Sequence, residues 1–75
     1  MDEQTYAIIE LVGVSDMSYD DATRRAIERA SNTLKGLAWF KVTELRGLIR
    51  DGEVAEYQVT LQIGFLVLHK SELGV

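Results

Sequence analysis

The stretch Gly36 to Val42, GLAWFKV, carries the only tryptophan of the chain, Trp39. A lone indole in a short protein serves either as an apolar anchor, in its own core or at a subunit contact, or as a flat platform on which another ring stacks. Two further groups could act beside it. Gln58 is an amide that both donates and accepts hydrogen bonds, and Arg46 is a permanent cation with Glu44 as its near partner in sequence. Covalent catalysis has little to work with. There is no Cys, and Ser15, Ser18, Ser31 and Ser71 fall in turn, helix or tail positions with no His beside them. The single His, His69, stands near the carboxyl end, and LVGVS has one glycine where a phosphate-cradling loop needs several. These residues point to binding rather than turnover, and no enzyme is expected.

The elements that must position them can be traced along the chain. Gln4 to Val14, QTYAIIELVGV, has apolar residues on both parities and reads as a first strand covered on both faces. Ser18 is a helix cap, followed by Asp20 and Asp21 at the positive end of the dipole. The helix is expected from Tyr19 to Leu34, with Tyr19, Ala22, Ala26, Ile27, Ala30 and Leu34 as one narrow apolar stripe and Gly36 as its stop. A second strand follows from Ala38 to Arg50, then an Asp51-Gly52 hairpin turn and a third strand from Val54 to about His69.

A two-residue turn sets Arg50 opposite Glu53 and so fixes a register. Trp39 then faces Gly64, Phe40 faces Ile63, Val42 faces Leu61 and Leu45 faces Gln58. The third strand alternates, with Tyr57, Val59, Leu61, Ile63, Phe65 and Val67 toward the helix. Phe40 and Val42 are expected beneath the helix, and Trp39, Leu45 and Gln58 on the opposite face, with Trp39 directed away from its own core. The same register sends Glu44 and Arg46 to the helix side, which two charges tolerate only if they pair, overhang the helix or are turned outward by a bulge at Gly47. Trp39 and Leu45, the partner of Gln58, stand about 20 Å apart along the strand, so a ring that meets both Trp39 and Gln58 has to lie between subunits.

The fold class is α+β: β-α-β-β, a three-stranded antiparallel sheet in the order first, third, second, packed on one amphipathic helix by a right-handed crossover. The whole chain, residues 1–75, forms one domain. A domain this short hides only about 60% of its unfolded surface, and disulfide and zinc staples are both absent, which leaves oligomerisation. A sheet face of Trp, Leu, Thr and Gln suits contact with further copies. The net charge of −4 argues against nucleic acid and anionic membranes as partners, and no apolar run is long enough to span a bilayer. The acidic start, MDEQTY, lacks the basic-then-apolar pattern of a secretory signal, so a cytoplasmic location is expected.

Taken together, LAWFKVTELRG, the Asp-Gly turn and EYQVTLQIGF resemble the dodecin family over nearly the whole chain. The resemblance implies a homododecamer, a hollow shell of cubic symmetry that stores or sequesters flavin without turning it over. It implies that Trp39 stacks on the isoalloxazine ring and that Gln58 hydrogen-bonds the ring's polar edge. Arg46 matches an arginine that bacterial members place near bound flavin mononucleotide. The implied cofactor is FMN or riboflavin, with coenzyme A a further candidate. Two positions depart from the family pattern: Leu66 stands where many bacterial members carry an arginine, and Ala38 where they carry an acidic residue.

Overall fold

The computed structural model describes residues 4–67. The chain runs β1 (Thr5–Ser15), α1 (Tyr19–Ser31), β2 (Leu37–Arg50) and β3 (Glu53–Val67). The strands form one antiparallel sheet in the order β1-β3-β2, as expected. His69, the expected end of the third strand and the tail lie outside the described residues.

The turn between β2 and β3 has positive φ at both central residues, 56° at Asp51 and 78° at Gly52. That backbone matches the right-handed twist of the flanking strands, which is why an Asp-Gly pair closes the hairpin. Helix α1 starts where Ser18 caps it: the backbone is extended, and Oγ accepts from the N–H of Asp21 at 2.9 Å. Buried Ser15 pins this start to the end of β1. Its Oγ donates to the Asp21 carboxylate at 2.6 Å and accepts from the Met17 N–H at 2.9 Å. Ser18→Ala removes the cap and should cost about 1 kcal/mol. In a domain of this size that lowers Tm by roughly 4–8 °C, which a thermal melt followed by circular dichroism would show.

The helix ends at Ser31, three residues before the expected Leu34, with Asn32 rather than Gly36 as its cap. Two hydroxyls compete for the last carbonyls: Ser31 donates to the carbonyl of Glu28 at 2.7 Å and Thr33 to that of Ala30 at 3.4 Å. Gly36, at a φ of 76°, instead turns the chain into β2, and its carbonyl accepts from the Leu66 N–H at 2.9 Å.

The core is thin. Ala22, Ala26 and Ala30 of α1 lie on Val59, Leu61 and Ile63 of β3, with Ile9, Leu11, Ile27 and Leu37 around them. The helix packs on β1 and β3 and leaves most of β2 beyond Leu37 exposed. Phe40 and Val42 pair with Ile63 and Leu61 as expected, but they are 51% and 40% exposed rather than beneath the helix. The reason is width: a helix about 10 Å across spans two strands set about 4.8 Å apart, and β2 is the third. The described chain measures 55 × 20 × 13 Å with a radius of gyration of 15.7 Å. A compact chain of this length would have about 11 Å, so the described residues form a slab with too little depth to bury its apolar surface.

Candidate functional site

Between Trp39 and Val42 the hairpin follows the expected register, with Trp39 opposite Gly64, Phe40 opposite Ile63 and Val42 opposite Leu61. Beyond Val42 it shifts by one. Glu44 pairs with Thr60, Leu45 with Val59 and Arg46 with Gln58, so the expected pairing of Leu45 with Gln58 is replaced. The irregularity is a bulge at Thr43, not at Gly47, and it turns Glu44 and Arg46 outward and Leu45 to the helix side. One extra residue reverses the side chains from Glu44 to Leu48, until a second shift between Leu48 and Ile49 restores the pairing of Arg50 with Glu53, and the two charges so move from the helix side to the open face. Thr43 compensates for the interrupted ladder, since its hydroxyl donates to the backbone carbonyl of Thr60 at 3.2 Å. Gly47 serves another purpose: a Cβ there would stand 2.8 Å from the carbonyl oxygen of Glu56, so glycine lets β2 approach β3.

The sheet face away from the helix carries the candidate site residues at two separate ends. At one, Trp39 is 41% exposed and its ring lies over Gly64. A methyl group added at Gly64 would fall on indole atoms Cε2 and Cζ2. Tyr6 of β1 stands beside it, with ring centroids 6.4 Å apart and planes tilted by 57°. Tyr6 pairs with Leu66, and Ile8 with Gly64, so the indole is surrounded by aromatic and aliphatic groups on the open face. The expectation that Trp39 points away from its own core holds.

At the other end lies a polar chain. The guanidinium of Arg46 donates to the side chains of Glu44 and Thr60 and, from Nη1, to Gln58 Oε1 at 3.4 Å. Gln58 Nε2 in turn donates to Glu56 Oε1 at 2.9 Å. The Arg46 and Glu44 side chains are 36% and 61% exposed, so this ion pair orders the strand more than it stabilises it, by about 1 kcal/mol at most.

Arg46 and Gln58 are therefore brought into contact, while Trp39 is not. The partners of Trp39 and Arg46, Gly64 and Gln58, stand six residues apart on β3, or about 20 Å. Tyr6, Thr60 and Glu56 were not anticipated as members of these groups. Tyr6 could not have been: β1 joins β3 through no tight turn, so nothing in the sequence sets their register. Glu56 was within reach, since it precedes Gln58 by two residues on an alternating strand and shares its face.

Among the described residues no helix is long and apolar enough to cross a membrane, and no group of three or more His, Asp or Glu could hold a metal ion. The family model described as Dodecin matches residues 5–67. A curated dodecin of Thermus thermophilus is 45% identical over 62 residues, 83% of this chain and 90% of that protein. Among solved structures, the dodecin from Streptomyces coelicolor superposes with a TM-score of 0.89 at 47% identity, covering 93% of this chain and 100% of that one. The dodecin from Streptomyces davaonensis gives a TM-score of 0.87 at 43% identity, covering 91% of this chain and 100% of that one.

Proposed function

The chain belongs to the dodecin family of small flavin-binding proteins, and from that premise we propose that it is a cytoplasmic flavin store. It stacks FMN or riboflavin on Trp39 at subunit interfaces of a homododecamer and quenches the flavin's photochemistry. The observation that carries this reading is the placement of Trp39: an exposed indole, flat on Gly64, on a sheet face that none of the described elements covers. A stacked ring there gains about 0.5–1.5 kcal/mol beyond simple area burial. The amide of Gln58 and the guanidinium of Arg46 supply hydrogen bonds for the polar part of the ligand, but they lie about 20 Å away on the same chain. One flavin meets both ends only when a second copy brings Gln58 and Arg46 to the indole of the first. The exposed apolar side chains of β2, Phe40 at 51% and Ile49 at 78%, give copies a reason to associate. An excited isoalloxazine in contact with an indole is well placed to take an electron from it, which is the proposed route of quenching.

Leu66 bears on the rest of the ligand. It is half-buried on the open face opposite Tyr6, and as an aliphatic group it gives a phosphate no partner at that position. The same feature favours the rival reading, an assembly of this fold that binds no flavin. A titration of riboflavin or FMN with the protein, read by flavin fluorescence, separates the two. Quenching by the wild type and its loss in Trp39→Ala is the expected result, with a native mass near twelve chains. No quenching, or equal quenching after Trp39→Ala, rejects the site, and a colourless shell of the same mass establishes the rival.

A further inference from the structure

The polar end of the open face does more than offer an amide. Arg46 meets Gln58 at Oε1, and Glu56 meets it at Nε2. A guanidinium can only donate and a carboxylate can only accept, so one of the two orientations of the amide satisfies both neighbours. Turned by half a rotation, the amide would aim its N–H groups at a cation and its oxygen at an anion. Arg46 is itself held by Glu44 and Thr60, and Glu56 is half-buried two residues before Gln58 on the same strand.

Resting on the flavin-binding reading above, we infer that Glu56 is a positioning and specificity-determining residue: with Arg46 it clamps Gln58 in one orientation, and the site therefore selects rings with an imide edge. Clamped in this way, the amide keeps one N–H and one oxygen lone pair free, in a fixed order along the strand. The complement is a ring edge with a donor next to an acceptor, as in the N3–H and flanking carbonyls of an isoalloxazine. An unclamped amide offers both orders and reads the edge less well. A flavin methylated at N3 keeps its stacking surface and loses the donor, and a clamped amide has no second arrangement with which to accommodate it.

The test titrates riboflavin and N3-methylriboflavin against the wild type, Glu56→Ala and Glu56→Gln, with native mass recorded for each. The wild type should prefer riboflavin by about tenfold, the worth of one hydrogen bond in a partly dry site. Glu56→Ala should lose most of that preference, by weakening riboflavin and leaving the methylated ring nearly unchanged. Glu56→Gln, whose amide can donate as well as accept and so leaves only Arg46 to fix the orientation, should fall between Glu56→Ala and the wild type. An unchanged preference in Glu56→Ala, or equal weakening of both ligands at unchanged mass, overturns the clamp while the flavin reading stands. A wild type that quenches neither flavin fails the flavin reading itself and the clamp with it.

Discussion

Gly64→Ala should reduce flavin binding nearly as far as loss of the indole itself. Gly64 lies on β3 between Ile8 and Trp39, buried by the ring that rests on it. Its missing side chain would point to the open face, where Cε2, Cζ2 and Cδ2 of Trp39 occupy the place of a Cβ. The clash is with the body of a rigid bicycle, so small torsional adjustments do not relieve it; the indole has to lift or swing to another rotamer. On the proposed reading a stacked flavin needs the platform at one height and one tilt, and a neighbouring subunit bringing Gln58 and Arg46 would not follow a displaced ring. We expect a loss of about 2 kcal/mol, or roughly thirtyfold in Kd, in the riboflavin quenching titration. The fold should survive, because alanine suits a strand interior better than glycine by roughly 0.5–1 kcal/mol. That survival makes the result interpretable: intact circular dichroism and native mass with lost quenching identify Gly64 as the seat of the platform. Wild-type affinity in Gly64→Ala would mean that the working indole does not lie where the sheet places it.

How far these features were legible in the sequence depended on whether a local rule decided them. The alternation from Tyr57 to Val67 and the Asp51-Gly52 turn made the hairpin and its two faces legible, and Trp39 meets Gly64 as expected because the register shifts at Leu48/Ile49 and at Thr43 offset one another. The turn's register sends Arg46 to the helix side unless a bulge intervenes, and a bulge leaves no mark of its own: Thr43 is an ordinary β-branched strand residue. What moved the register was the cost of carrying Glu44 and Arg46 into an apolar layer, a conflict already visible in the sequence though its resolution at Thr43 was not. The correction strengthened the site, since it made Arg46 the direct neighbour of Gln58. The bareness of β2 was hidden for a different reason. Period tells which residues share a face, while the breadth of cover depends on where a single helix settles. Phe40 and Val42 were assigned to the right face and the wrong degree of burial.

That settling position rests on a second glycine, and Gly13→Ala should be the most damaging single-methyl change in the chain. Gly13 faces the helix from β1 opposite Val59. An added Cβ would run into the carbonyl oxygen of Ala22 and come within 3.0 Å of its carbonyl carbon and of Ala26 Cβ. Backbone meets backbone here, so no rotamer change makes room. The helix must rise or β1 must bend, and either opens the layer in which Ala22, Ala26 and Ala30 lie on Val59, Leu61 and Ile63. Overpacking costs typically 1–3 kcal/mol, and a contact this rigid belongs at the upper end. A chain of this length has about 4–11 kcal/mol to lose, so a drop near 3 kcal/mol lowers Tm by roughly 12–24 °C. Assembly ties stability to protein concentration, so the melts must compare equal concentrations of wild type and variant. Trp39 lies on the other face, so variant protein still folded at low temperature should keep its flavin affinity. A wild-type melting curve for Gly13→Ala would show that the helix does not sit on β1 as closely as described, and an equal loss of affinity and stability would show that the two faces of the sheet are not independent. The two glycines thus divide one requirement between them: Gly13 draws the helix down so that three alanines suffice for a core, and Gly64 lets the indole lie flat on the face that the helix cannot cover.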